Sequence, residues 1–178
     1  MTNSDFSENT QTPKAPRSTE VERKFRIFNP PYGESLREYE KDRIRQGYIA
    51  IEEGGTEVRI RRRTKSSMDE SFTLTVKSKG GLARYEDEVD VSHEQFSKLW
   101  PATEGRRVEK TRFKIPHEGR LIELDVYEGD LNGLCVAEVE FPDEEAASKF
   151  NPPEWFDLEV TEDKAFKNQQ LAINGMPA

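Results

Sequence analysis

Carboxylates recur two residues apart in this sequence: Glu20 and Glu22, Glu86 and Glu88, Glu123 and Asp125, Glu138 and Glu140. Cations recur at the same interval. Arg59, Arg61 and Arg63 form one set and Lys110, Arg112 and Lys114 another, while Lys24 follows the first acidic pair and Lys77 stands apart. A spacing of two puts side chains on one face of an extended strand. The acids offer hard oxygen ligands suited to magnesium or manganese. Arg presents a planar fork to phosphate, and Lys a mobile point charge. A face carrying both sets would hold divalent cations together with a polyanion.

The elements that must position these residues read as strands. Alternation of apolar and polar residues recurs in EVERKFRI, QGYIAIE, TEVRIRRR, SFTLTVKSK, RYEDEVDV, VEKTRFKI, LIELDVYEG and LCVAEVEF. Breaks such as EEGGT, KGG, PHEGR and GDLNG separate them, and the joins at IPHEGRLI and EEGGTEV are short enough for hairpins. Helices are expected over SLREYEKDRI, with Ser35 and Glu38 as a capping box, and over SHEQFSKLW, with Ser92 and Gln95. PDEEAASKF and the closing TEDKAFKNQQLAI complete the set.

Sorting the strands by parity leaves two readings. The charged face is the solvated side of a sheet, or it points inward. Blocks of one sign within single strands (Arg59-Arg61-Arg63, Glu86-Glu88-Asp90, Lys110-Arg112-Lys114) add nothing to strand stability. They favour an inward face lining a wet channel, because burying so many charges dry would be prohibitive. The apolar face, with Val58, Ile60, Leu74, Val76, Val136 and Val139, would then turn outward beneath helices.

The bulk numbers set bounds. Of 178 residues, 35% are charged and 33% hydrophobic, with ten Phe, five Tyr and two Trp. That composition is polar but still allows one folded domain. Residues 1–18, rich in Ser, Thr, Asn and Pro, read as a disordered leader, and residues 19–176 as the domain. A net charge of −8 argues against nucleic acid or anionic lipid as partner, despite the RIRRR run. The one cysteine, Cys135, excludes an intrachain disulfide and a multi-cysteine zinc site. No apolar run is long enough to span a bilayer and no export signal is evident, so a cytoplasmic location is expected. His93, beside a helix cap, and His117, in a turn, receive no catalytic role.

EVERKF has the form Glu-x-Glu-x-Lys and resembles the signature of the CYTH superfamily, the triphosphate tunnel metalloenzymes. RIR at 59–61, TLTVKSKGG at 73–81, RYEDEVDV, VEKTRF, IELDVYEGDLNGL and VAEVEF follow in the family's order, and EVTEDKAFKNQQLA resembles its closing helix. The similarity covers roughly 19–172 and is nearest to short bacterial members acting on inorganic tripolyphosphate. It implies an α+β, mainly β fold: an eight-stranded antiparallel closed tunnel barrel with a charged interior and helices packed outside. One departure is Phe166, where the family's closing motif has tyrosine.

The resemblance also implies Mg2+ or Mn2+ and a small polyanionic substrate, in a monomer or homodimer. Glu22, Glu138 and Glu140 are the expected main metal ligands. Glu20 and Asp125 are candidates for a second metal or for orienting water, and Glu86, Glu88 and Glu123 are secondary candidates. Lys24, Arg59, Arg61, Lys77, Lys110 and Arg112 would cradle the phosphates. Glu20 would take or orient the proton of an attacking water, while Lys110 or Arg112 neutralises the leaving oxygen. Arg63, Lys79 and Lys114, near strand ends, are expected to form surface salt bridges. On the same fold the alternatives are a thiamine triphosphatase, a nucleoside triphosphatase, a class IV adenylate cyclase or a non-catalytic polyphosphate-binding module.

Overall fold

Nine strands form one antiparallel sheet in a computed structural model that describes residues 21–31, 34–53, 55–79 and 84–177. The strands are β1 (Val21–Arg26), β2 (Glu40–Ile51), β3 (Glu57–Lys65), β4 (Glu70–Lys79), β5 (Arg84–Asp90), β6 (Arg107–His117), β7 (Arg120–Tyr127), β8 (Cys135–Phe141) and β9 (Leu158–Glu159). The helices are α1 (Glu34–Arg37), α2 (His93–Leu99), α3 (Glu144–Ser148) and α4 (Asn168–Asn174). The leader expected over 1–18 lies outside the described residues.

The sheet order is β5-β4-β3-β2-β6-β7-β8-β1-β9. All eight stretches read from alternation are strands. The closed eight-stranded barrel is not what forms. A ninth strand of two residues pairs Leu158 and Glu159 with Arg26 and Phe25. Among the described residues, β5 pairs only with β4 and β9 only with β1, so the sheet keeps two margins. Two residues are too few for alternation to reveal, and β9 occupies the free side of β1 that closure would have used.

One hairpin and one helix start follow from local chemistry. Glu118 and Gly119, both at positive φ, make the tight turn between β6 and β7. The capping box on α2 is present, with Ser92 and Gln95 bonding each other's backbone N–H. The helix expected over 35–44 shrinks to α1, because from Glu40 onward the chain is claimed by two neighbours, β3 and β6. Pairing on both sides outweighs helix propensity there. The closing helix is also broken. A 3-10 turn over Lys164–Phe166 precedes α4, with Lys167 extended between them.

Side chains of the sheet's apolar face pack under α1 and α3. Phe25, Ile122, Leu124, Ala137, Val139 and Phe141 form that core with Leu36 and Ala147. The opposite face carries Lys24, Asp42, Gln46, Thr75, Lys110 and Asp125, all buried. Only curvature can bury a face so little covered by other elements. A second apolar cluster shows that curvature, since it joins Tyr48 of β2, Val108 of β6, Tyr127 of β7 and Val136 of β8. These four share the charged face's parity, so Val136 looks inward rather than outward as its type suggests. Phe166, Leu171 and Ala172 seal the cluster, which places α4 on the inner face. The expectation of helices outside alone is corrected at this end.

Gly47 marks a tight joint. A Cβ there would stand 2.4 Å from Thr103 Oγ1. Thr103 is fully buried, donates to Trp100 O at 2.7 Å and accepts from Arg107 Nε at 2.8 Å, so it has no room to yield. Gly47→Ala is therefore expected to destabilise the fold by about 1–3 kcal/mol. Urea unfolding measures this, and an unchanged midpoint would contradict the packing described.

Candidate functional site

The charged face is organised by register. Arg63 and Lys110 stand opposite Ile44 on its two sides, and Asp42 stands opposite Arg112, which faces Asp125 in turn. Lys114, Glu123, Glu138 and Lys24 form the next row, from β6 to β1. Beyond it, Glu22 and Glu140 face each other.

Asp125 is the centre of this array. It is fully buried, and its Oδ2 accepts from Lys110 Nζ at 2.5 Å. Arg112 approaches the same carboxylate as a fork, through Nε and Nη2 at 2.7 Å each. Arg112 also donates to Glu138 at 3.0 Å and bonds Glu123 through Nη1. Lys24 Nζ meets Glu138 at 2.9 Å and Glu22 at 3.8 Å. Burial works against all these charges, and the partners decide the outcome. Arg112 and Lys110 overcome burial to hold the Asp125 carboxyl down at about 2. For Glu138, burial and Asp125 push upward, but Lys110, Lys24 and Arg112 keep it below the usual range. Burial pulls the Lys110 ammonium down to about 8 against the pull of Asp125.

The cations of β3 are less fully matched. Arg61 donates from Nε to the neutral Gln46 Oε1 at 2.9 Å. Burial, with Arg59 and Arg112 nearby, brings its guanidinium down to about 10. Arg59 contacts Glu86 at 3.4 Å, while its buried Nε has no hydrogen-bond acceptor. Lys77 meets Glu86 at 2.9 Å, and Glu88 accepts from Thr75 at 2.9 Å. A desolvated guanidinium N–H without an acceptor is a place where an anion would be welcome.

Glu20 lies outside the described residues. Glu22 and Glu140 share one face, directly opposed, where like charges destabilise a strand pair unless a cation lies between them. Among the described residues no three His, Cys, Asp or Glu side chains converge to hold a metal by themselves. A hard divalent cation bound by one or two carboxylates, completed by water and phosphate oxygens, fits that donor set. Asp125 and Glu138 are also engaged by lysine and arginine side chains, and Lys24 Nζ lies 3.8 Å from Glu22.

Several contributors received no role from the sequence. Gln46 receives Arg61 and donates to Tyr48 Oη at 2.8 Å. Asn168 Oδ1, at the start of α4, accepts from Tyr127 Oη at 2.7 Å and from Lys110 Nζ at 3.2 Å. Phe166, the departure from the family motif, is buried in the apolar cluster with the Arg26 guanidinium 5.8 Å from its ring centre. No polar partner is required of it. Parity would have pointed to Gln46, four residues from Asp42 and two from Tyr48.

The ionic centre makes stability depend on acid. Asp125 is depressed from 3.8, so its contribution is complete above that value and is lost as pH falls toward 2. Linkage sets this at about 2–3 kcal/mol. Glu138, also depressed, contributes in the same direction below 4.5. Urea midpoints are expected to drop between about pH 5 and pH 2, more steeply for the wild type than for Asp125→Asn. Parallel pH profiles for the two would contradict the assignment.

No protein-family profile matches the chain. An inorganic triphosphatase from Nitrosomonas europaea is 47% identical over 158 residues, spanning 88% of this chain and 98% of the relative. Another, from Acetivibrio thermocellus, is 32% identical over 158 residues, spanning 87% and 94%. The crystal structure of the inorganic triphosphatase NE1496 superposes with a TM-score of 0.68 at 43% identity, covering 89% of this chain and 97% of that one. With identity sustained over nearly the whole length of these relatives, the chain belongs to the inorganic triphosphatase family of the CYTH superfamily.

Proposed function

We propose that this protein hydrolyses inorganic tripolyphosphate to diphosphate and phosphate with a divalent cation, Mg2+ or Mn2+. The carrying observation is the buried row of cations on one face, with Arg59 Nε lacking an acceptor and Arg61 hydrogen-bonded to a neutral amide. A compact polyanion satisfies these groups; a solvated sheet face would not bury them. Membership of the inorganic triphosphatase family supports the same substrate.

Lys24, Arg59, Arg61, Lys77, Lys110 and Arg112 bind the phosphates and fix their orientation. Glu22 and Glu140, with Glu20 and Glu138, are the carboxylates that would hold the cation. When bound, the cation supplies charge neutralisation at the phosphoryl oxygens and activation of water. Glu20 takes or orients the water's proton. Arg112, held by Asp125, and Lys110, held by Asp125 and Asn168, are fixed in advance where charge grows on the departing diphosphate. The apolar cluster around Tyr48 and Leu171 excludes water from one end of the face. No helix is long and apolar enough to cross a membrane among the described residues.

Phosphate release from tripolyphosphate, ATP, thiamine triphosphate and pyrophosphate, with Mg2+, Mn2+ or chelator, tests this. Tripolyphosphate turnover well above the others and lost in chelator is expected. Glu22→Gln with Glu140→Gln is expected to raise the Mg2+ concentration needed for half-maximal rate by about tenfold or more. Tight binding of tripolyphosphate without turnover would instead make the protein a polyphosphate-binding module.

A further inference from the structure

Asp42 has no part in the site as read so far, yet it lies inside it. The side chain is 0% exposed, in the middle of the sheet, on the charged face. Its Oδ2 accepts from Arg63 Nε at 2.7 Å and again from Arg63 Nη2. Lys114 Nζ lies 3.4 Å from the same oxygen and 2.7 Å from Glu40. Oδ1 is buried with no hydrogen-bond partner. Asp42 therefore draws one cation from β3 and one from β6 together over β2. A carboxylate buried with one oxygen unmatched is a costly way to hold strands that are already hydrogen-bonded on both sides.

The register shows what this arrangement achieves. Asp42 is directly opposite Arg112, and Arg63 shares a row with Lys110, two strand spacings or about 10 Å away. Arg112 does not bond Asp42; its N–H groups go to Asp125, Glu123 and Glu138. Arg63 engages Asp42 through Nε and Nη2 only, so the Nη1 end of its fork points away from the pairing, and 36% of the side chain is accessible. Arg63 and Lys114 thus extend the cationic row beyond Arg61 and Lys110, toward the end of the face away from the α4 cluster.

We infer that Asp42 is a positioning residue that holds Arg63 and Lys114 so that both contact the far phosphoryl group of the polyanion. This reassigns two cations that the sequence suggested were surface salt bridges, and it rests on the triphosphatase reading above. Arg63→Gln and Lys114→Gln remove the phosphate contacts themselves, and the Arg63 side chain, 36% accessible, is the more tolerant of substitution. Asp42→Asn removes the anchor while both cationic side chains are retained.

KM and kcat for tripolyphosphate are measured with Mg2+, and the dissociation constant by calorimetry in chelator. Arg63→Gln is expected to raise KM and the dissociation constant about tenfold, with kcat changed less than about threefold. Asp42→Asn should do the same, and Asp42→Glu should recover part of the loss. The Asp42→Asn, Arg63→Gln double variant should be no worse than about the larger single effect, because the anchor acts through what it holds. Effects that multiply would make Asp42 merely structural. Folded Arg63→Gln and Lys114→Gln proteins with wild-type KM and dissociation constant would overturn the inference, whatever Asp42→Asn does. Wild-type binding without turnover would defeat the hydrolase reading alone, and the binding comparison would still decide this one.

Discussion

Asp125→Asn is expected to cost about 3–5 kcal/mol of folding stability, the largest loss from any single substitution on the charged face. The reason is imbalance. Lys110 is 3% exposed and Arg112 largely buried, and both turn to this carboxylate. Removing its charge leaves Lys110 with Asn168 and the edge of its attraction to Glu138, while Arg112 keeps Glu123 and Glu138. Lys110 is thus the more exposed to the loss. Pairing Asp125→Asn with Lys110→Met should recover part of the stability, since the stranded ammonium goes with it. Urea denaturation at pH 7 provides the measurement. A single variant within about 1 kcal/mol of wild type would show that Asp125 is not the counter-charge that the distances describe.

Arg112→Lys is expected to lower kcat/KM for tripolyphosphate by about 10²–10³ while the protein stays folded. Arg112 makes four hydrogen bonds to three carboxylates in a planar arrangement. A lysine cannot reproduce two parallel bonds to Asp125. Its ammonium would satisfy part of the charge and lose the orientation. If the loss falls in kcat, Arg112 acts on charge that develops in the transition state; if it falls in KM alone, Arg112 merely binds. Circular dichroism and a melting curve establish that the fold survives. A loss smaller than tenfold would remove Arg112 from the reaction.

The strands and the charged face were legible because both depend on parity. An interval of two is unambiguous when acids and bases alternate with Val, Leu and Ile, as in Glu123-Leu124-Asp125 or Glu138-Val139-Glu140. What stayed hidden has specific causes. In SLREYEKDRI the charges are compatible with a helix, and Ile44 places an apolar side chain on the charged face, so parity breaks just where Asp42 needs it. Val108, Val136 and Tyr48 blur the same signal at the other end, where the face turns apolar beneath α4. Asn168 comes from an element separated by sequence from every strand it serves, and no local pattern announces a contact with Lys110. Closure of the sheet is a property of its last pairing, and β9 contributes only Leu158 and Glu159 to it.

The two margins of the sheet have a bearing on how the molecules behave among themselves. β5, the longer one, carries Glu86, Asp87, Glu88 and Asp90 within seven residues and lies at the surface. An unpaired strand invites another chain to add itself, and a fence of negative charge turns such a visitor away. The whole chain nears neutrality at about pH 5.0. Near that pH the molecules no longer repel one another through net charge, so purification and storage are best kept on the alkaline side.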